Sequence, residues 1–208
     1  MVGGGALSRG SGLFVVIEGI DGSGKTTVSK RVVERLNAMG YRAIYTFEPY
    51  TSLFTEALKK YIEMYGEAEV EVEVLSMALD RVFHVKRIIE PLLVQGYIVV
   101  CDRYVYSSIA YQGARNADIE WINIVNRYAI KPDIAIYLRV PLEIALERLK
   151  HKQSDWSYFE KIDRIKKALE IYERLALLGE LMAIDATRDI DSVVMQCIKL
   201  ITRYSLAR

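Results

Sequence analysis

The feature that most constrains the fold of this chain is a glycine-rich segment near its start, residues 19–26, with the sequence Gly-Ile-Asp-Gly-Ser-Gly-Lys-Thr. It fits the pattern Gly-x-x-x-x-Gly-Lys-(Ser/Thr) at every fixed position. An apolar run precedes it at residues 13–17, and a helical pattern follows from Lys25. In this setting the glycines let successive backbone N–H groups point at phosphate oxygens, and the helix dipole adds positive potential. The segment therefore predicts a loop that binds a nucleoside triphosphate.

Three side chains of this loop have distinct expected tasks. The Lys25 ammonium should reach the β- and γ-phosphates, and the Thr26 hydroxyl should ligate Mg²⁺. A carboxylate beside bound phosphates is unfavourable, so Asp21 should bind a metal-bound water or a sugar hydroxyl. The sequence contains no guanine-binding Asn-Lys-x-Asp segment. ATP with Mg²⁺ is therefore the predicted nucleotide and metal. The expected loop contacts are Gly19, Ile20, Asp21, Gly22, Ser23, Gly24, Lys25, Thr26 and Thr27.

Short apolar runs alternate with helical patterns along the rest of the chain. The runs predict strands at residues 13–17, 41–47, 97–101, 134–138 and 181–184. Helices are predicted at residues 25–39, 55–65, 70–93, 106–112, 119–128, 142–150, 162–178 and 191–203. Near-continuous apolar strands are typical of a parallel sheet that is buried on both faces. The predicted fold is therefore α/β, a three-layer P-loop NTPase fold with a five-stranded parallel sheet flanked by helices. Ligands of such a sheet bind beyond the carboxyl ends of the strands.

The composition favours one domain and argues against several classes of protein. The chain has 208 residues and is 51% apolar, which is enough for a single core over residues 13–208, with a flexible arm at residues 1–12. Basic and acidic residues number 28 and 27, so the basic excess of a nucleic-acid-binding protein is missing. No apolar stretch is long enough to span a membrane. Cys101 and Cys197 are expected to be small buried side chains, which predicts a reduced, cytoplasmic protein.

Two arginines outside the loop are candidates for binding a second group. Asp102 and Arg103 directly follow the third predicted strand, so they should lie beside the phosphate-binding loop. Asp102 is suited to hold Mg²⁺ through water, and Arg103 is suited to bind a phosphate with two hydrogen bonds. A buried structural Asp–Arg pair is the alternative. Arg81 lies in a helical pattern and, taken alone, is better interpreted as a solvated or salt-bridged side chain.

Four segments together closely resemble the thymidylate kinase family. The first is Glu-Gly-x-Asp-Gly-x-Gly-Lys-Thr-Thr at residues 18–27, and the second is Glu48-Pro49 after the second predicted strand. The third is Asp-Arg-x-x-His at residues 80–84. The fourth, Asp-Arg-Tyr-x-x-Ser-Ser-x-Ala-Tyr-Gln-Gly at residues 102–113, is the most specific, because other nucleotide kinases carry only its first two residues.

The resemblance implies a role for each of these positions. Asp21 should contact the sugar 3′-hydroxyl and the Mg²⁺ environment, and Arg103 should bind the acceptor monophosphate. Arg81 should donate to a thymine carbonyl, with Ser108 near the base edge. Tyr111 should pack under the sugar and exclude a 2′-hydroxyl, which would be buried without a partner. The implied substrate-binding residues are Asp21, Glu48, Pro49, Met77, Arg81, Arg103, Ser108, Tyr111 and Gln112, and the implied metal ligands are Thr26, Asp102 and Asp21.

The sequence departs from the family pattern at three positions. Phe47 replaces the arginine that usually precedes Glu-Pro, so one phosphate-binding arginine is missing or comes from elsewhere. Met77 replaces a base-stacking phenylalanine, which predicts a softer sulfur–aromatic contact. Ser23 occupies a loop position at which one subgroup has arginine, so the catalytic cation should come from the lid.

The lid that the resemblance implies lies at about residues 148–160. Arg148 matches a family arginine, and Lys150 and Lys152 are the candidate substitutes for the others. An exposed helix end is the alternative interpretation of these lysines. The implied catalytic residues are Lys25, Arg103, Asp21, Arg148 and Lys152, while Arg148 and Arg188 should also contact ATP.

The implied reaction is transfer of the γ-phosphate of ATP to dTMP, giving dTDP and ADP for dTTP synthesis. The resemblance also implies a homodimer. Two alternatives stay open. The first is a kinase of another nucleoside monophosphate or of a deoxynucleoside, and the latter needs a carboxylate base for which Glu48 is available. The second is a nucleotide-gated regulatory or assembly protein with little turnover.

Overall fold

The structure, a computed structural model, describes residues 12–150 and 158–206. The strands are β1 (Leu13–Glu18), β2 (Ala43–Phe47), β3 (Ile98–Asp102), β4 (Ile134–Arg139) and β5 (Met182–Asp185). They form one sheet in the order β2-β3-β1-β4-β5, and every neighbouring pair is parallel. The helices are α1 (Lys25–Ala38), α2 (Leu53–Tyr65), α3 (Val70–His84), α4 (Glu90–Val94), α5 (Val105–Gly113), α6 (Ile119–Val125), α7 (Leu142–Lys150), α8 (Tyr158–Leu177) and α9 (Ile190–Leu206). The predicted α/β fold with a five-stranded parallel sheet is confirmed.

The helix predicted over residues 70–93 is divided into three parts. A π-helical turn, Val85–Ile89, separates α3 from α4. Pro91 lies in the first turn of α4 and has no N–H to donate to a carbonyl of the preceding turn. Such widened turns are inserted where the regular hydrogen-bond ladder of a helix is interrupted.

The burial of the strands depends on their place in the sheet. The central strands β1 and β3 are buried throughout, and β4 is buried up to Arg139. The strands β2 and β5 lie at the edges, and both carry partly or fully exposed residues, including Met182 at 41% exposure. The expectation that all five strands are buried on both faces is therefore right for the central three only, because an edge strand has a neighbour on one side alone.

The strand register brings the loops that carry the motifs to one edge of the sheet. Asp102, the last residue of β3, pairs with Phe47 in β2 and with Ile17 in β1. The pairing continues one residue further, because the Arg103 N–H donates to the Ile17 carbonyl at 3.0 Å. The loop after β1, the Glu48-Pro49 turn after β2 and the Arg103 segment after β3 therefore start side by side.

The remaining expectations about the chain concern its start, its cysteines and membranes. Gly12 lies so close to the backbone of Leu93 that a Cβ on Gly12 would collide with it. The rest of the predicted arm lies outside the described residues. Cys101 and Cys197 are buried and free, as expected. Within the described ranges, no helix has the length and apolar character that a membrane span requires.

Candidate active site

The loop between β1 and α1 has the backbone conformation that its glycines predict. Gly22 and Gly24 have φ angles of 84° and 92°, which lie in the left-handed region that favours glycine. A Cβ on Gly22 would also collide with the carbonyl of Ala145 in α7. Gly24 precedes α1 and makes no side-chain cap, so the first N–H groups of this helix face the loop. These are the N–H groups and the dipole end that a phosphate group uses.

Lys25 extends across this loop. Its Nζ donates to the Ile20 carbonyl at 2.9 Å, and the side chain is buried with 5% exposure. Burial, followed by repulsion from Arg103, lowers the pKa of Lys25 to about 7, although Asp21 and Asp102 act in the opposite direction. Burial and the Arg103 charge together outweigh the negative charge of these carboxylates. A bound phosphate group would supply further negative charge.

The affinity for ATP should depend on pH through Lys25. With a pKa of about 7, the Lys25 amine is mostly neutral at about pH 8 and mostly protonated at about pH 6. Phosphate oxygens favour the protonated form, so ATP should raise this pKa and take up about one proton at about pH 8. Calorimetric titration with Mg²⁺-ATP in two buffers of different ionisation enthalpy measures this uptake. The Lys25→Arg variant, which stays charged, should take up none. A wild type that takes up no proton at about pH 8 would contradict the assignment.

Thr26 and Asp102 meet beside the loop. Thr26 Oγ1 donates to Asp102 Oδ2 at 2.5 Å. The other carboxylate oxygen, Asp102 Oδ1, is buried and has no hydrogen-bond partner among the described residues. A buried oxygen of this kind is costly unless a cation or an ordered water meets it. A hydroxyl and a carboxylate next to bound phosphates are the protein ligands that Mg²⁺ takes. Thr26 and Asp102 therefore fit the predicted ion, and a metal role for Asp21 stays a prediction.

Arg103 connects the loop with α5. Its guanidinium donates to Asp21 Oδ1 in a short ion pair and to Ser107 Oγ at 3.2 Å. The guanidinium carbon also lies 5.1 Å from the centre of the Tyr111 ring. The Tyr111 hydroxyl in turn accepts from the Asp21 N–H at 2.8 Å. The alternative of an Asp102–Arg103 pair is wrong, because each of the two side chains has a different partner.

Glu18 holds the segment that carries Arg103. Arg103 has a φ angle of 69°, a conformation that is costly for a residue with a side chain. The buried Glu18 carboxylate accepts from the Tyr104 N–H at 2.7 Å, from the Ser107 hydroxyl at 2.7 Å and from the Tyr172 hydroxyl at 2.8 Å. These bonds help to offset the cost of the Arg103 backbone. The sequence motif assigns Glu18 no role. A carboxylate at the end of an otherwise apolar strand nevertheless indicates a structural role, and this signal is present in the sequence.

Arg81 lies in the interior of the protein, with 3% exposure. Its Nε donates to Glu48 Oε2 at 2.7 Å, its Nη1 to Asn126 Oδ1 at 2.5 Å and its Nη2 to Ser108 Oγ at 3.1 Å. Each terminal nitrogen of a guanidinium has two hydrogens, so one on each is left after these bonds. The interpretation of Arg81 as a salt-bridged arginine is right about the ion pair with Glu48, and the solvated alternative is wrong. Nothing in the sequence points to Asn126.

A cleft beside the loop contains Asp21, Arg81 and Arg103 among its lining residues. All nine residues predicted to bind the substrate are among its lining residues, which include Asp21, Glu48, Pro49, Met77, Arg81, Arg103, Ser108, Tyr111 and Gln112. Glu73, Tyr104 and Ser107 also line the cleft and were not predicted. The cleft therefore joins the strand ends to the facing sides of α3 and α5.

Arg148 lies on the other side of the loop. Its guanidinium donates to the Gly22 carbonyl at 3.4 Å and to the Ala186 carbonyl at 3.2 Å. It thus bridges the phosphate-binding loop and the segment after β5. Arg188 lies in that segment and is exposed, with Asp185 as its ion-pair partner at 3.4 Å. The expected contacts of Arg148 and Arg188 with ATP stay predictions.

Two of the predicted lid cations remain to be considered. Lys152 lies outside the described residues, and so does the side chain of Lys150. Their roles as catalytic cations stay predictions.

Comparison with known proteins was consistent with the motifs. A model of the thymidylate kinase family matches residues 17–197. A probable thymidylate kinase of Staphylothermus marinus is 40% identical over 198 residues, which cover 95% of this chain and 98% of the relative. Another, of Methanocaldococcus jannaschii, is 42% identical over 178 residues, with 85% and 88% covered. A third, of Thermococcus kodakarensis, is 37% identical over 199 residues, with 91% and 97% covered. The chain therefore belongs to the thymidylate kinase family.

Proposed function

We propose that this protein transfers the γ-phosphoryl group of ATP to dTMP, giving ADP and dTDP. The observation that carries the proposal is the position of two cations after the carboxyl ends of two neighbouring strands. Lys25 follows β1, Arg103 follows the neighbouring strand β3, and Asp21 connects the phosphate-binding loop to Arg103. This arrangement supports a donor phosphate site at Lys25 and an acceptor phosphate site at Arg103. Membership of the thymidylate kinase family supports dTMP as that acceptor.

Phosphoryl transfer depends on alignment and on offsetting charge more than on covalent help from the protein. Lys25 would bind the donor phosphates, and the planar fork of Arg103 would hold the acceptor phosphate in line with the γ-phosphorus. The bond from the γ-phosphorus to the acceptor oxygen forms as the bond to the ADP oxygen breaks. Because the acceptor phosphate is already ionised at neutral pH, no residue has to remove a proton.

The ion pair between Asp21 and Arg103 gives Asp21 a role in this sequence of events. An acceptor phosphate would compete with the Asp21 carboxylate for the Arg103 guanidinium. Once displaced, the partly exposed carboxylate can accept from the sugar 3′-hydroxyl, as the family resemblance implies. Asp21 would thus hold Arg103 in place before the acceptor binds.

Thr26 and Asp102 would hold Mg²⁺ at the base of the loop, where the unpaired Asp102 Oδ1 can bind water of the ion. When bound, Mg²⁺ neutralises charge on the β- and γ-phosphates. Arg148, at the Gly22 carbonyl, would add positive charge on the opposite side of the loop.

The far part of the cleft suits the base of dTMP. The remaining N–H groups of Arg81 are donors, which match the O4 acceptor of thymine. Gln112 is 4% exposed, and its Oε1 has no hydrogen-bond partner among the residues described, so it is an acceptor for N3–H of thymine. Met77 lies four residues before Arg81 on α3 and supplies an apolar, polarisable surface for the ring. Cytosine has an amino group at position 4 and an unprotonated N3. Its amino group would face the N–H donors of Arg81, and its N3 lone pair would face the Gln112 oxygen.

Tyr111 should determine the choice of sugar. We expect Tyr111→Ala to lower the preference for dUMP over UMP, which differ only at the 2′-hydroxyl, by about tenfold or more in kcat/KM. Tyr111→Phe is the matched control. It removes the hydroxyl that binds the Asp21 N–H but keeps the ring, so the preference should persist. Steady-state kinetics with both nucleotides measure the ratio, and an unchanged ratio in Tyr111→Ala would contradict a steric role.

The geometry disfavours the alternative of a deoxynucleoside kinase. Such an enzyme needs a free carboxylate that accepts the proton of a sugar hydroxyl. The two oxygens of Glu48 face Arg81 Nε at 2.7 Å and His84 Nδ1 at 3.1 Å, and Glu48 is buried. Glu48 therefore serves to position Arg81.

An acceptor panel tests the proposed function. ADP release is measured with dTMP, dUMP, dCMP, AMP and thymidine, and the product is identified by chromatography. The proposal predicts dTDP as the product and dTMP as the best acceptor. Faster turnover of thymidine would support the deoxynucleoside kinase. Binding of ATP without turnover of any acceptor would support a regulatory protein. Either result would overturn the proposal.

We also propose a homodimer that is joined through α3. Leu75 and Leu79, four residues apart on this helix, are 52% and 49% exposed. The residues of α3 that line the cleft lie on another face. An exposed apolar pair is suited to packing against the same face of a second copy. Sedimentation should give a dimer for the wild type and a monomer for Leu75→Glu/Leu79→Glu, whereas a monomeric wild type would contradict the proposal.

A further inference from the structure

Two pairs of side chains connect α3 with α5 across the base-binding part of the cleft. Glu73, Met77 and Arg81 are spaced by four residues, so they share one face of α3, and Ser108 and Gln112 share one face of α5 in the same way. The first connection is the bond from Arg81 to Ser108. The second is the bond from Gln112 Nε2 to Glu73 Oε1, at 2.7 Å. Met77 lies between these two connections along α3.

The second connection determines which way round the Gln112 amide lies. The amide of a glutamine has two donor hydrogens on one side and a carbonyl oxygen on the other, and it keeps its shape when it turns over. A carboxylate can only accept hydrogen bonds. Glu73 therefore holds the NH₂ group towards itself and directs Gln112 Oε1 the other way. That oxygen is the buried acceptor without a partner in the described part of the chain.

Glu73 is itself held by an arginine. Arg115 Nη1 forms a short ion pair with Glu73 Oε2, and Arg115 Nη2 donates to the Ala68 carbonyl at 2.7 Å. Arg115 Nη2 also lies 3.4 Å from Glu67 Oε1. The carboxylate of this ion pair accepts from Gln112 and has no hydrogen to donate to it.

We propose that Glu73 is a positioning residue that determines the choice of base. It fixes the Gln112 amide so that the cleft presents an acceptor, which matches N3–H of thymine and uracil and repels the N3 lone pair of cytosine. The proposal deepens the proposed function and rests on dTMP occupying this cleft. Glu73 acts through its bond with Gln112 and lies away from the phosphate-binding loop, so its loss should alter the choice between bases and leave the binding of ATP unchanged.

Glu73→Gln is the sharpest test. The new amide keeps the size of the side chain and can accept from Gln112 or donate to it, so the Gln112 amide can lie either way round. We expect the ratio of kcat/KM for dTMP to that for dCMP to fall about fivefold or more, because one selective hydrogen bond is no longer enforced. Glu73→Met, which removes the acceptor, should lower the same ratio, and KM for ATP should stay within about twofold in both variants.

Glu67→Gln is the matched control. It removes a carboxylate that contacts Arg115 but does not touch Gln112, so the ratio should stay at the wild-type value. Thermal melting monitors the fold of all three variants. If Glu73→Gln and Glu73→Met both fold and keep the wild-type ratio, the proposal is overturned. An equal fall in the Glu67→Gln control would also overturn it, because the effect would then come from the ion-pair network.

Equilibrium binding separates failure of this proposal from failure of the proposed function. The dissociation constants of dTMP and dCMP are measured by calorimetry for the wild type and for the variants. If the wild type prefers dTMP but does not phosphorylate it, the proposed function fails, and the binding ratio of the Glu73 variants still decides the present proposal. If the wild type binds dTMP and dCMP equally, the proposal about Glu73 is overturned whatever the turnover.

Discussion

Replacing Lys25 with alanine should lower kcat for the phosphorylation of dTMP by about a thousandfold or more. The buried ammonium is placed at the phosphate-binding loop, where negative charge builds up as the γ-phosphoryl group moves. Its loss should leave the fold intact, because burial already lowers the pKa of Lys25 to about 7 and its hydrogen bond goes to a single loop carbonyl. Single-turnover formation of dTDP at saturating ATP measures the effect, and thermal melting checks the fold.

Lys30→Ala is the matched control for this prediction. Lys30 lies on the same helix but is exposed, with its ammonium over the Tyr45 ring, so its removal should leave kcat unchanged within about twofold. A folded Lys25→Ala protein that keeps near-normal turnover would contradict the role of the loop.

Replacing Arg103 with alanine should have the second largest effect, and the substitution should impair the use of the acceptor dTMP rather than the binding of ATP. We expect kcat/KM for dTMP to drop by about a thousandfold, because a bidentate partner of the acceptor phosphate is lost. The affinity for ATP should change by no more than about threefold, since the donor phosphates bind at the loop. Arg103→Lys should recover only part of the activity, because an ammonium cannot reproduce the fork that binds Asp21 and Ser107.

Arg42→Ala controls for the loss of an arginine as such. Arg42 precedes β2, so it lies at the amino ends of the strands, away from the cleft. It packs on the Tyr97 ring, and its removal should not affect dTMP kinetics. The assignment of Arg103 is wrong if dTMP kinetics survive Arg103→Ala, or if this substitution instead abolishes ATP binding.

The parts of the site that follow from the sequence are those set by local pattern and by sheet topology. The glycine spacing of the loop specifies its backbone, and the placement of Asp102 and Arg103 directly after an apolar strand puts them at the carboxyl edge. The four-residue spacing of Met77 and Arg81 places both on one helix face, and both line the cleft. For these residues the sequence predicts both the chemical role of the side chain and its place in the fold.

The parts that could not be predicted are pairings between distant segments. Asn126 lies 45 residues after Arg81 and binds it from α6, and no motif includes it. In the sequence, Glu73 looks like an ordinary charged residue on the exposed side of a helix. Only the packing of α5 against α3 brings Gln112 into contact with it. The exposure of β5 follows from its place at the edge of the sheet, which the apolar run at residues 181–184 does not reveal. Sequence patterns specify elements, and these contacts arise only when the elements pack.

The central claim is that Lys25 holds the triphosphate of the donor and Arg103 holds the single phosphate of the acceptor, close enough for direct transfer. It is tested most directly with a single molecule that joins adenosine and thymidine through a 5′–5′ pentaphosphate chain. If both sites are filled at once, this compound should bind with a 1:1 stoichiometry and about a hundredfold more tightly than either nucleotide alone. Lys25→Ala and Arg103→Ala should each remove most of that gain. A compound that binds no more tightly than the better of ATP and dTMP would contradict the account.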